Sequence, residues 1–474
     1  MADVDVVVVG AGFAGLGMAI ALQQAGRSYV VLERAGDLGG VWRDNRYPGV
    51  TADSPAHLYS YSFEPNPLWS RAHAPGDEIQ DYLAYCAEHY GVLPQLRFNT
   101  TVQAARFTGE GWNCSIVTDE GEIEQLTAQH LILAVGTYGD PRLPHLPGLE
   151  SFEGAVMHTS SWDPAVPIVG EHIAVIGTGC AASQLIPQLV GDAAEVTVFQ
   201  QHAPWVLPHL DPGYADGLAN AYEHRPWLMK AHRLKLRATA EASGVGYTTR
   251  PSLLRAQEKL AATYLARSVT DPALRATLTP TDRLGESTVV HSNDYLPALA
   301  AANVSVVSSP IESVTGTAVL TSDGQQHPCD VIVLATGFEP YGALRLIDVR
   351  AAGGAGLAER FAGPVSSYFG VALPDLPNLF LLGGPNTQVP WTSVIPVYEA
   401  QIDLVTRVLT EAHRRHVSTV QVRPQVVPAL RAELDRRLER SAFGPDAINR
   451  VWPSSVAEYE RRVRKANLVD FQFS

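Results

Sequence analysis

Two glycine clusters carry the clearest chemistry in this chain. The first is GAGFAG, with Gly10, Gly12 and Gly15, and Glu33 stands 23 residues after Gly10. The second is GTGCAA, with Gly177, Gly179 and Ala182, 167 residues further on. In each, the first glycine can make a tight turn and the second lets backbone approach a pyrophosphate. The third position, glycine or alanine, lets a helix pack on its strand. The start of that helix attracts phosphate oxygens, and an acid near Glu33 can hold a ribose hydroxyl. Counting 23 residues from Gly177 reaches Gln200, followed by Gln201 and His202. The second site therefore lacks the carboxylate of an NAD site and also the arginine that usually grips a 2′-phosphate.

Further candidates lie beside the first cluster. In GGVWRDNRYPG, Gly39 and Gly40 allow close backbone approach and Trp42 offers a flat face that reads equally as core packing. Asp53 stands in the otherwise uncharged loop VTADSPAHLYSYSF, where a lone acid serves as a turn former or as a catalytic group. The chain holds four cysteines, Cys86, Cys114, Cys180 and Cys329, and no CxxC. That spacing excludes a redox dithiol and a zinc knuckle, so no metal site is expected.

The elements that must position these residues follow from pattern. DVVVVG is a β-branched run ending in glycine, as a buried parallel strand does, and a helix runs from there to about Ala25 before SYVVLE. EHIAVIG, a helix and AEVTVFQQ repeat the order, and LILAVG (131–136) and DVIVLATG (330–337) are two more buried strands. The fold class is α/β, with two Rossmann-like dinucleotide-binding domains. Residues 205–295 break the pattern with helices over 214–243 and 251–277, separated at Pro226 and Pro251, as a helical insertion in the second domain. A loop, GGPNTQVPWTS, precedes a helix from about Val397 and a helical tail. The expected division is 1–150 for the first domain, 151–329 for the second with its insertion, and 330–474 returning to the first.

Composition sets the limits. The 474 residues are 46% hydrophobic and 18% charged, with a net charge of −14. That apolar content excludes disorder, and the acidic balance disfavours nucleic acid. No apolar stretch reads as a membrane span, the acidic start is not a secretory leader, and sparse cysteine suits the cytoplasm.

The chain resembles the class B flavin monooxygenases, and among them the Baeyer–Villiger monooxygenases. The segment FEGAVMHTSSWD fits the family pattern at Phe152, Gly154, His158, Trp162 and Asp163, just before the second Rossmann strand. The GGxW…RYPG…D segment and NLFLLGGPN agree as well. The resemblance implies FAD at Gly10, Gly12, Ala14, Gly15, Glu33, Gly40, Trp42, Asp53, Tyr59 and the Val102 backbone. It implies NADPH or NADH at Gly177, Thr178, Gly179, Ala182, Gln184, Gln200 and Gln201. It further implies a flavin C4a-(hydro)peroxide that inserts one oxygen atom beside a carbonyl, and places His158 and Trp162 on a linker that couples domain motion to catalysis.

The chain departs from the family at its cations. With Gly285 and Tyr295 fixing the register, Ser287 stands where the family has a lysine and Thr288 where it has the arginine beside the flavin; Gln201 replaces a second arginine. Two of the lost cations hold the 2′-phosphate, so NADH becomes a live coenzyme. Loss of the third favours a protonated hydroperoxide, hence nitrogen or sulfur oxygenation or hydroxylation as the alternative reaction, ahead of an NAD(P)H oxidase or a non-catalytic nucleotide binder. Arg43, Arg46 or His57 could supply a replacement, Arg46 first. The expected catalytic set is Asp53, Arg46 and Thr288. Trp391 and Tyr398 read as walls of a substrate pocket or as core. The partners expected are a small molecule and O2.

Overall fold

The computed structural model describes residues 2–287, 289–351 and 356–474. The first unit is built on a sheet of β1 (Val4–Val9), β2 (Tyr29–Leu32), β3 (Leu96–Arg97), β4 (Thr100–Phe107), β5 (Trp112–Thr118) and β6 (Ile123–Leu133). Strand β1 lies in the middle, parallel to β2 and β6, and α1 (Phe13–Gln24) crosses between them. Val6 to Val9 of β1 are buried because helices cover one face and the β4–β5–β6 meander the other.

The second unit holds β7 (Ala155–His158), β8 (His172–Ile176), β9 (Glu195–Phe199), β12 (Val304–Val307) and β16 (Val331–Leu334), all parallel in the order β12-β9-β8-β16-β7. Between β9 and β12 run the short parallel pair β10 (Trp205–Leu207) and β11 (Val289–His291). After β12, a three-stranded meander of β13 (Ile311–Val314), β14 (Ala318–Thr321) and β15 (Gln326–Pro328) covers the second sheet. The chain then returns to the first sheet: β17 (Asp348–Arg350) joins β4, and β18 (Leu379–Leu381) joins β6. The expected boundary at 329/330 therefore falls too early. Strand β16 pairs with β7 and β8 inside the second sheet, and the crossing back comes after it.

Two further expectations shift. The fingerprint segment, read as linker, contributes β7 as an edge strand, since a parallel partner was available in β16. Among the described residues the insertion has four helices where the breaks at Pro226 and Pro251 imply three: Asp216–His224, Pro226–Thr248, Leu254–Ser268 and Pro272–Thr277. The breaks at Pro226 and Pro251 hold. The extra break comes where Asp271 caps Pro272–Thr277 by accepting from the Ala273 N–H at 3.0 Å, a Pro-at-N1 start. The long helix after the GGPN loop, Ile395–Arg414, begins two residues before the expected Val397 and packs on α1. No described helix is long and apolar enough to cross a membrane.

Candidate active site

The first glycine turn is closed by backbone demand. Gly10 has φ +101°, and a Cβ there would lie 2.7 Å from the Ala134 carbonyl oxygen; at Gly15 it would lie 1.8 Å from that of Gly10. Gly12 differs: its Cβ would meet only the Gly40 Cα, at 3.7 Å. The opposed glycines leave an uncovered face for a pyrophosphate, at the N-terminus of α1.

Glu33 is 5% exposed and heavily engaged. It accepts from the N–H of Ala11 at 2.8 Å and of Ala35 at 3.1 Å, and pairs with Arg43 at 2.8 Å. Arg43 also holds Asp44 at 2.7 Å. Burial acts to lower its pKa, and Glu33 and Asp44 outweigh that and raise it. Beside this knot, Trp42 is half-buried with its Nε1 hydrogen unpartnered and stands edge-on to Tyr59 at 5.3 Å. Tyr59 packs in turn on Phe13. Ala14 and Val102 are buried beneath, in α1 and β4.

The second turn repeats the geometry. Gly177 has φ +119° and backs onto the Ala335 carbonyl, while a Cβ at Gly179 would meet nothing within 4 Å. Thr178 donates to the His202 carbonyl at 3.0 Å, and Ala182 is fully buried on the inner face of α4 (here the helix Cys180–Leu189; α2 is Val41–Asp44 and α3 Gly76–His89). Gln200 does not stand ready for a ribose as its spacing suggested. It is buried, and its amide nitrogen donates to the Thr277 carbonyl at 2.9 Å, anchoring the insertion. Gln201 is exposed. The Ser287 hydroxyl is buried without a partner, and Thr288 lies outside the described residues.

Between the two units lies a cavity of about 880 Å³, lined by Trp42, Tyr47 and Asp53 from the first unit, Gln184 from α4, and His209 and His291 from the base of the insertion. A smaller cavity of about 260 Å³, around His130 and His413, touches none of these residues. Asp53 lines the larger cleft and is exposed to it, with protein crowded around the carboxyl. Desolvation by that crowding raises its pKa, offset in part by a hydrogen bond from the Cys180 thiol. Gln184 Nε2 donates to its Oδ1 at 3.3 Å.

None of the three expected replacement cations sits on Asp53; among the described residues it has no salt bridge. Arg43 is held by Glu33 and Asp44. Arg46 is exposed at the rim, donating to the Arg43 carbonyl and to Gln80 Oε1, both at 3.0 Å. His57 is 1% exposed among Tyr214, Tyr222 and His232 of the insertion, and burial lowers its pKa to about 3, so it is neutral.

The fingerprint residues act as struts. His158 Nδ1 accepts from the Ser160 N–H at 3.1 Å, which leaves Nε2 to donate to the Gly337 carbonyl at 3.0 Å, at the turn after β16. Trp162 packs against the second core. Trp391 lies near-parallel to Tyr247 of the insertion and to Phe443 of the tail, at 6.2 and 5.9 Å, and those two rings are 5.7 Å apart. Tyr398 lies under the GGPN loop, where a Cβ on Gly383 would come within 3.0 Å of its ring. Sequence reasoning missed Cys180 and Tyr138, both of which share their electrostatic surroundings with Asp53. Each sits within two residues of a glycine turn, a usable signal. It also missed Arg450, whose charge acts on Tyr138 from the distant tail.

Two sheets, each with a parallel strand that runs into a glycine turn and a helix start, and a cleft lined by both units, define an oxidoreductase that brings two dinucleotides together. The family model described as pyridine nucleotide-disulphide oxidoreductase matches residues 7–249. Its disulphide chemistry has no counterpart in these unpaired cysteines. A Baeyer–Villiger monooxygenase of Streptomyces coelicolor is 35% identical over 482 residues, covering 99% of this chain and 92% of that protein. Among solved structures, the OTEMO complex with FAD and NADP superposes with a TM-score of 0.90 at 25% identity, covering all of both chains. An oxidized steroid monooxygenase bound to NADP gives 0.89 at 26%, covering 100% and 99%. The chain belongs to the class B flavin monooxygenases, the family of the Baeyer–Villiger monooxygenases.

Proposed function

We propose that this chain is an FAD-dependent, NAD(P)H-consuming monooxygenase that inserts one oxygen atom of O2 beside a carbonyl of a small molecule, giving an ester or lactone. The supporting observation is the shared cleft. Asp53, from the FAD-side loop, meets α4, which opens the nicotinamide-side turn, with the uncovered faces of Gly12 and Gly179 on either unit. The FAD side would be formed by residues 1–150 and the C-terminal part beyond β16, with Gly10, Gly12, Ala14, Gly15, Glu33, Gly40, Trp42 and Tyr59 around the cofactor. Glu33 holds the turn in shape from behind as much as it meets a ribose. Gly177, Thr178, Gly179 and Ala182 would hold the nicotinamide nucleotide.

The flavin, once reduced, supplies the oxygen chemistry. The chain binds and orients: Asp53 offers a carboxylate of raised pKa as hydrogen-bond acceptor or proton carrier on the wall of the cleft. The lack of a salt bridge at Asp53 among the described residues supports a second reading, oxygenation of nitrogen or sulfur. A cytoplasmic setting rests on the four unpaired cysteines.

The test is a panel of cyclic ketones, sulfides and amines with 18O2, NADH or NADPH and FAD, read by mass spectrometry. Labelled lactone supports the main reading. Labelled sulfoxide or N-oxide with no lactone replaces it by the second. Peroxide released in step with NAD(P)H, whatever is added, refutes both.

A further inference from the structure

We propose that Gln184 is a positioning residue that orients the Asp53 carboxylate across the boundary between the two dinucleotide units. This rests on the reading above, in which Asp53 faces the reacting groups.

The side-chain amide of Gln184 is fully committed. Its Oε1 accepts from the Tyr47 hydroxyl at 2.7 Å and from the Thr51 N–H at 3.4 Å. Its Nε2 donates to the Thr51 carbonyl at 3.1 Å and to Asp53 Oδ1 at 3.3 Å. The Thr51 backbone offers one donor and one acceptor, so it reads the amide in a single orientation and fixes which end meets Asp53. Two acceptances and two donations exhaust the group, leaving no hydrogen for a nucleotide. The resemblance assigned Gln184 to the nucleotide; the geometry points it at Asp53.

The backbone supports the same contact. Gly49 has φ +83°, and a Cβ there would lie 2.6 Å from the Gln184 carbonyl oxygen and 2.9 Å from Gln188 Cγ. The Tyr47–Thr51 turn thus lies directly on α4, and the first unit touches the second where the amide crosses. Of the other groups facing Asp53, Tyr47 and Tyr59 come from its own segment, Tyr138 from the end of β6 and Cys180 from α4. All four are neutral near pH 7, burial pushing each one up. Gln184 is the one side-chain N–H donor to Asp53 among the described residues. A donor of this kind favours the ionised carboxylate against its desolvation.

The experiment compares wild type, Q184M, Q184E, Y47F, D53N and the double variant D53N/Q184E. Two readouts run in parallel. One is the pH dependence of thermal unfolding of the FAD-free protein. The other is the pH profile of kcat/KM for NAD(P)H together with peroxide release in the FAD-loaded enzyme. Q184M and Q184E are expected to move the Asp53 limb upward by about one pH unit in both. Y47F should move it by a smaller amount. In the D53N background, Q184E should show only the titration of the carboxylate it introduces, with no Asp53 limb left to move. An unshifted limb with a raised KM for NAD(P)H would overturn the proposal in favour of a nucleotide contact. An equal shift with and without Asp53 would also overturn it. If D53N alone keeps the wild-type pH profile and coupling, the reading of Asp53 fails instead, and the unfolding data still decide whether Gln184 orients it.

Discussion

Replacing Glu33 tests whether this acid is a structural hub of the first glycine turn. Glu33→Ala removes three acceptor contacts at once: Ala11 N–H, Ala35 N–H and Arg43. The side chains of Arg43 and Glu33 are 10% and 6% exposed, so the pair counts as buried. Breaking a buried pair by deleting one partner costs about 3–5 kcal/mol, and an orphaned buried N–H costs about 1–3 kcal/mol. The two overlap, and Arg43 keeps Asp44, so about 4 kcal/mol is the working figure. At about 2.1 cal/mol/K per residue, a chain of 474 residues shifts by about 1 °C per kcal/mol, so the FAD-free protein should melt about 4 °C lower. Glu33→Gln keeps an acceptor of the same shape and should fall about half as far. The assay is differential scanning fluorimetry, with FAD retention read from absorbance after gel filtration. A drop below about 2 °C in Glu33→Ala would refute the hub and return Glu33 to a purely ribose-binding role. In an Arg43→Met background the loss should shrink, because the cation that needed Glu33 is gone.

Gly15→Ala should fail to fold, since its Cβ has no room beside the Gly10 carbonyl, whereas Gly12→Ala should fold within about 0.5 kcal/mol of wild type yet lose FAD affinity at least about tenfold; titration of the apoprotein with FAD separates them. The wild-type enzyme should use NADH and NADPH with kcat/KM within about tenfold of each other, and Gln201→Arg should shift that ratio toward NADPH by about tenfold. Asp53→Asn should raise the melting temperature at neutral pH. Because the folded-state pKa of Asp53 is raised, its contribution to stability is present below the ordinary carboxylate range and lost as pH rises through the raised value. The gain from asparagine should therefore vanish in acid, and equal melting curves at every pH would contradict the raised pKa of Asp53.

The glycine turns were legible because they are backbone demands: Gly10 and Gly177 carry positive φ and sit against a carbonyl, and only one residue type allows that. The carboxylate at position 33 was legible from spacing for a related reason. Its partners were not, because Ala11 and Arg43 reach it through the folding of a loop that has no period. The replacement cations failed in the same way. Arg43, Arg46 and His57 are near Asp53 along the chain, but each side chain is held by groups that sequence distance does not order: Glu33, Gln80 and the insertion tyrosines. Gln200 likewise turned to Thr277, 77 residues on. Strand β16 looked like the start of the returning domain because its pattern is that of any buried parallel strand; only pairing with β7 and β8 assigns it.

Tyr247, Trp391 and Phe443 form a triangle of three near-parallel rings contributed by the insertion, the GGPN loop and the tail. Gly244 completes the cluster, since a Cβ there would lie 2.5 Å from Trp391 Nε1. Chimeras built by exchanging segments between relatives must respect this seam. Transplanting the insertion alone would set a foreign helix face against Trp391, and transplanting the tail alone would remove Phe443 from beneath it. The four positions form one heritable block, and loop-grafting should carry them together or leave all of them in place.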